Sequence, residues 1–373
     1  MLIQADSAQK IAERLKEMPA SEDDVFFVGV GEQCWADGNQ LVSELKRTGR
    51  RFFGGVFPGV IWGGRHYEKA CVVTQFQGAM EPFIIRSVSS GSCEIPDISR
   101  LKGIEKVRTA MLFVDGLSSN ISGMLDRLQK AFGPSVRFVG GGAGSLSLRR
   151  FPVVFSEEGI FEDAAVVMPM SCRCSLGVRH GWKSLDGPFV ANKTSGNVIR
   201  EINYKDALSL YQEIIERDSG ERLTADRFYE LAMRYPLGIH VEGQEPIVRD
   251  PLLIDAQGHL VCCGEVEENT VISILKGNRM ELIAAAAAAA DDCLSQANGG
   301  VVTHAFVVDC ISRVRFLGDY FERELDVINS KLALVAGGAE PRGVLTLGEI
   351  ASYNAGGPRL FNKTTVLAVL RCN

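Results

Sequence analysis

The residues best equipped for chemistry fall in one short run near the carboxyl end, Asp309-Cys310-Ile311-Ser312-Arg313. Before it stands the apolar run Ala305-Phe306-Val307-Val308, which reads as a strand. After it Phe316, Leu317, Tyr320, Phe321 and Leu325 recur close to the i, i+3, i+4 spacing of a helix. The run therefore sits where a strand ends and a helix begins, and ligands of open α/β sheets bind beyond the carboxyl ends of strands. A thiol there could have its pKa lowered by the helix dipole and Arg313, which would make Cys310 a nucleophile. Cys310 could equally touch a ligand or be a small buried hydrophobe. Arg313 could clamp a ligand carboxylate or pair with Glu349. His304 precedes the strand, at its opposite end, so the sequence fixes no base beside Cys310.

Three further patterns could carry chemistry. Gly140-Gly141-Gly142-Ala143-Gly144 follows a strand and could cradle an anion on backbone amides. No lysine follows at phosphate-loop spacing, and Leu146, Leu148 and Phe151 look like strand rather than the helix a dinucleotide site requires. The expectation is a tight turn where backbone and sheet approach closely. Cys172, Cys174 and His180 could hold a metal, although strand alternation puts both sulfurs on one face without enough ligands. With no paired C-x-x-C among ten cysteines, these read as reduced thiols of a cytoplasmic protein rather than a disulfide framework. His66 and His259 fall in turn-like settings and read as solvated. His180 and His240 lie in more apolar ones. An axial haem ligand needs an aromatic, apolar pocket, and His180, beside Trp182, suits that better than the others.

The elements that must position these residues form a repeat. Val25-Phe26-Phe27-Val28 leads to a helix with Leu41, Val42 and Leu45, then Phe52-Phe53-Gly54-Gly55, then Ala70-Cys71-Val72-Val73. The order returns in Met111-Leu112-Phe113-Val114, a helix with Met124, Leu125 and Leu128, Phe138-Val139-Gly140-Gly141-Gly142, and Ala164-Ala165-Val166-Val167. It returns again from His304 to Leu370, where strand-like Leu332-Ala333-Leu334-Val335 precedes a glycine-rich turn. There, either Gly337-Gly338 or Gly343 matches the earlier glycines. Mixed strand and helix throughout predicts an α/β fold, its sheets covered by helices.

A chain of 373 residues exceeds what one core usually serves, so two domains are expected. Apolar density drops near Ser219-Gly220-Glu221, which puts them at 1–220 and 221–373. The second opens with short strands at 247–249, 252–254, 259–262 and 271–275. A helix from about Arg279 to Gln296 follows, stopped by Asn298-Gly299-Gly300. An amphipathic helix is expected over Ala8–Met18 and another from Tyr204, with Asp206 in its first turn. A net charge of −6 argues against nucleic acid or an anionic membrane surface as the main partner. No apolar run approaches the ~20 residues of a membrane helix, and the amino terminus lacks the basic start and apolar core of a signal peptide.

Longer motifs carry a resemblance. Gly343-Val344-Leu345-Thr346-Leu347-Gly348-Glu349-Ile350-Ala351 with Phe361-Asn362-Lys363-Thr364-Thr365-Val366 resembles the closing signature of the FIST family, a prokaryotic sensory module with N-terminal and C-terminal parts. Cys310-Ile311-Ser312-Arg313 with Phe316-Leu317-Gly318, and Tyr235-Pro236-Leu237-Gly238 with Val248-Arg249-Asp250-Pro251, are similar to the same C-terminal part. Phe53–Gly59, Gly140–Ser145 and Gly177–Trp182 are similar to the N-terminal part. The resemblance runs from about Asp24 to Leu370. It implies a cytoplasmic sensor that binds a small molecule and signals to a separate protein such as a histidine kinase in a two-component system. Some similar proteins bind haem and sense nitric oxide, which would make His180, then His240, the axial candidate. Arg249, Cys310, Arg313, Glu349 and Asn362 are the expected ligand-binding residues. An enzyme using Cys310, a hydrolase or transferase, and a protein-binding adaptor are the competing classes.

Overall fold

The computed structural model describes residues 1–373 except 5–6, 35–36, 78, 297–300, 334–339, 354–356 and 373. The three sequence copies fold alike. In each, the first strand pairs parallel with the second and antiparallel with the returning one. Val25–Gly31 lies between Arg51–Phe57 and Cys71–Phe76. Thr109–Asp115 lies between Arg137–Ala143 and Ala164–Met170, and Val301–Cys310 between Arg342–Thr346 and Thr365–Cys372. A parallel pair needs a crossover. The helices Gly38–Arg47 and Ile121–Phe132 supply it in the first two copies, and Ile311–Leu317 with Phe321–Leu332 in the third.

The parallel registers set Val28 opposite Gly54, Leu112 opposite Gly140 and Val307 opposite Gly343. A methyl group on these glycines would lie 2.0, 1.6 and 1.7 Å from the carbonyl oxygens of Val28, Leu112 and Val307. No side chain fits there, so the same glycine is required three times. Gly343 is thus the match in the third copy, and Gly337 and Gly338 lie outside the described residues. Gly140–Gly142 lie inside the Arg137–Ala143 strand rather than in the expected turn. Close backbone approach, not a change of direction, demands them. Leu332 ends a helix rather than opening a strand.

Between its second and returning strands each copy carries a hairpin, and each hairpin leaves its own sheet. Gly59–Trp62, with Arg65–Tyr67, joins Arg342–Thr346 of the third copy. Val154–Ser156, with Gly159–Phe161, joins Arg51–Phe57 of the first. Glu349–Ser352, with Pro358–Phe361, joins Arg137–Ala143 of the second. The exchange closes a ring of three six-stranded sheets. Their inner faces share one core, in which Phe27 lies 4.8 Å from Phe113 and 5.4 Å from Phe306, ring centre to ring centre. Helices cover the outer faces: Ala8–Glu17 with Gly38–Arg47, Ile121–Phe132, and Arg279–Ser295 with Phe321–Leu332.

An antiparallel sheet of eight strands, within residues 183–276, is inserted in the third copy between its edge strand Arg173–Arg179 and the Arg279–Ser295 helix. Its own core packs under helices Ala207–Ser219 and Phe228–Ala232. Asp206 caps the first of these by accepting from the Ser209 amide. Gly220 ends that helix, with strands of the same sheet on both sides of it in sequence. The strands expected at 247–249 and 252–254 are one, Ile247–Ile254. The proposed Asn298-Gly299-Gly300 stop lies outside the described residues.

The cysteines require a correction. Cys172 and Cys372 form a disulfide. They flank the facing pair Arg173 and Arg371 of an antiparallel ladder, with Cα atoms 4.4 Å apart, although 200 positions separate them in sequence. Local spacing could not show that pairing. No helix among the described residues is long and apolar enough to cross a membrane.

Candidate ligand site

The three copies serve as internal references for one another. Register equates Asp309 with Val30 and Val114, and Thr346 with Phe57 and Ala143. It equates Thr365 with Cys71 and Ala165, and Thr364 with Ala70 and Ala164. All these positions are buried. At these four positions the third copy is polar where the other two are apolar, although the second copy also buries a carboxylate at this strand end, Asp115, which accepts the Asp163 and Leu117 amides.

Bonds cross from these groups to the inserted sheet. Lys363 is fully buried; its Nζ lies 3.1 Å from Asp250 Oδ2, donates to the Met233 carbonyl at 3.0 Å and sits 5.0 Å from the Trp182 ring centre. Ser312 Oγ donates to the same Asp250 oxygen at 3.1 Å. Burial pushes the Asp250 carboxyl above its usual range, against the pull of Lys363, and Oδ1 is a buried acceptor without a donor. Glu349 accepts from Thr346 Oγ1 at 3.0 Å and from the Thr364 amide at 3.1 Å, yet burial raises its pKa to about 8, so it is mostly protonated at neutral pH. Asn362 donates to Cys263 Sγ at 3.2 Å, and its buried Oδ1 has no donor.

The other expected site residues are placed differently from one another. Arg249 joins the cluster's rim: Nε donates to the Glu265 carbonyl at 2.8 Å and Nη1 to those of Val248 and Leu360 at 3.0 and 3.3 Å. Burial lowers its pKa, and no carboxylate among the described residues forms an ion pair with it. Arg313 is neither a clamp nor the partner of Glu349. It is wholly buried and grips Glu324 through Nε (3.0 Å) and Nη2, while its remaining donors reach the carbonyls of His180 (2.6 Å), Lys363 (3.1 Å) and Leu282 (3.1 Å). Asp309 Oδ1 stands 3.4 Å from its Nε. Arg313 thus anchors the 311–317 helix and leaves no donor for a ligand. Sequence reasoning missed Asp250, Ser312, Lys363, Thr346 and Thr364 as site residues. The signal was present: each threonine replaces an apolar residue of the other two copies.

Beside the cluster, that anchored helix presents Arg315 and Phe316 to a cavity of about 650 Å³, which also takes in Met233, Gly277, Arg279, Met280 and Tyr320. Its wall touches the cluster twice. The Met233 carbonyl holds Lys363, and the Phe316 ring lies 4.7 Å from that of Trp182. Gly277 is required here, because a methyl group would lie 2.1 Å from the Trp182 ring. Two other cavities, of about 340 and 430 Å³, adjoin Arg137, Arg179 and Asp292, and Arg200, Tyr204 and His259.

Residues 7–205 match the FIST N domain and residues 207–352 match the FIST C domain. The chain belongs to the FIST family. FIST domains are associated with small-ligand sensing in signalling proteins. No curated protein matches the chain. The two matches meet within the inserted sheet, so most of the site just described lies in the FIST C part, with Trp182 in the FIST N match and Asn362, Lys363, Thr364 and Thr365 beyond residue 352.

Within this FIST protein two chemical expectations fail on geometry. Cys310 is 3% exposed, and burial, then the nearby Glu349, push its thiol far above the ordinary range. Helix dipole and arginine do not compensate, because Arg313 is committed to Glu324; an activated nucleophile is not what the fold builds. Neither haem candidate, His180 or His240, presents a free ring nitrogen to one of the three cavities. His180 Nδ1 accepts the Trp182 amide at 2.9 Å, so the proton of the neutral ring is on Nε2, which then has no lone pair for iron. His240 is exposed and its Nε2 lies 2.7 Å from Ser273 Oγ. Neither lines any of the three cavities. Cys172, held in its disulfide, is lost to the Cys172/Cys174/His180 metal set, and no group of three or more metal-ligating side chains occurs among the described residues.

Proposed function

We propose that this FIST protein is a small-molecule sensor whose ligand occupies the 650 Å³ cavity beside Arg315 and Phe316. The observation that carries the reading is the contact between that cavity's wall and the Lys363–Asp250 cluster that ties the inserted sheet to the third copy. Ligand pockets of about 300–1,000 Å³ with a few convergent polar groups are the usual form of such sites. A guest that shifts Met233 or Phe316 would disturb Lys363 and Trp182, which tie the inserted sheet to the third copy, and so could alter the relation between those two layers. On the family's pattern the protein acts in the cytoplasm and the output goes to a separate protein, with a histidine kinase as the expected class.

The test is a thermal-shift screen with small metabolites on the full chain and on Met280→Trp. Met280 is 59% exposed on the cavity wall, so the indole fills the space without disturbing a core. Compounds that stabilise the wild type and not the variant support the reading. Stabilisation that persists in Met280→Trp places the ligand elsewhere and ends it.

A further inference from the structure

We propose that the ligand of this cavity is an anion with an apolar body, for example an aryl phosphate, sulfonate or carboxylate; this rests on the sensing reading above. Four charged side chains line the cavity, and they are not equivalent. Arg234 is paired with Glu221 at 2.9 Å, and Glu230 with Arg227 at 2.9 Å. Arg279 and Arg315 have no ion pair or hydrogen bond to any described residue. Arg279 rests 5.1 Å from the Tyr320 ring centre, a contact that leaves its N–H fork unspent.

Both guanidiniums line one concave wall, where a shared anion would meet two planar donor forks. The amino end of the 279–295 helix is not the attraction. The Asn278 side chain already accepts the Met280 and Glu281 amides, at 2.9 and 3.4 Å. Beside the cations, Met233, Met280 and the Phe316 edge offer soft apolar surface to the rest of the guest. Some guanidiniums elsewhere are matched, Arg179 with Asp292 and Glu245 and Arg217 with Asp186, and others, such as Arg249 and Arg342, have no ion pair among the described residues but line none of the three cavities. What sets Arg279 and Arg315 apart is that both stand on one cavity wall beside apolar surface.

The experiment uses two naphthalene dyes on the full chain: 8-anilinonaphthalene-1-sulfonate, which is anionic, and N-phenyl-1-naphthylamine, its neutral relative. Fluorescence titration should show saturable binding of the anionic dye, displaced by inorganic pyrophosphate and lost in Met280→Trp. The double variant Arg279→Gln/Arg315→Gln should bind it on the order of tenfold to a hundredfold more weakly, as expected for loss of charge-assisted bonds. The same variant should bind the neutral dye as the wild type does. Unchanged affinity for the anionic dye in the double variant overturns the anion inference, as does neutral dye bound as tightly as the anionic one. In both cases binding that Met280→Trp removes leaves the sensing cavity standing. If neither dye binds the wild type, or binding survives in Met280→Trp, both readings fall together.

Discussion

Arg313→Met discriminates an anchor from a ligand clamp. The wild-type guanidinium has a two-point grip on Glu324 and bonds to three carbonyls, all at full burial. Removing one member of a buried ion pair costs about 3–5 kcal/mol, because the other charge is stranded. The three carbonyls that lose their donor add up to about 1 kcal/mol each. The single variant should therefore be destabilised by about 3–8 kcal/mol near pH 7. Asp309 adds little, because burial and the Glu324 charge already hold its carboxyl well above the normal range and it can stay protonated. Arg313→Met/Glu324→Leu removes the stranded carboxylate and leaves only the carbonyls wanting, so it should recover about 2–4 kcal/mol relative to Arg313→Met. Arg313→Lys, which keeps the charge and loses the fork, should fall between wild type and Arg313→Met. The assay is urea unfolding followed by tryptophan fluorescence. Should Arg313→Met lose less than about 1 kcal/mol, or should the double variant be no better than the single, the anchor argument is wrong.

Two further outcomes follow from the buried groups. Glu349 titrates near 8 in the folded chain and near 4.5 when exposed, so the folded state holds an extra proton between those values. Its contribution to stability is therefore greatest below pH 4.5 and declines as pH rises toward 8, by up to about 1.4 kcal/mol per unit. Stability of Glu349→Gln measured across pH 5–8 should lack that slope; an identical slope in the variant would refute the assignment. Cys310, with its thiol raised and buried, should resist iodoacetamide at pH 7.5 in the native chain and react once urea exposes it. Rapid native labelling at Cys310, read by peptide mass spectrometry, would restore the nucleophile reading.

Much of the scaffold was legible in the residues. Val25–Val28, Met111–Val114 and Ala305–Val308 are central strands because runs of apolar residues suit strands buried on both faces. The glycines were legible as a repeat but not as to cause, since a strand glycine and a turn glycine look alike in sequence. Cys310 does stand at the end of its strand, with Glu349 near it, while Asn362 donates to Cys263. Arg313 misled because a charged residue at a helix start reads as exposed, and only Glu324, eleven positions on, shows where its charge goes. His180 misled for a similar reason: the Trp182 amide two residues away claims the nitrogen that would have set its tautomer for iron.

Sequence alone determined the repeated unit, the family and the strand end at which polar side chains collect. Those properties follow from interactions between residues a few positions apart, whose periodicity is written directly in the chain. Tertiary structure decided the hairpin exchange among the three sheets, the pairing of Cys172 with Cys372, the burial of Arg313 and the cavity before Arg315. Each depends on which free sheet edge or helix face meets which distant partner. That competition is settled by packing across separations of ten to more than two hundred residues, where local pattern carries no information.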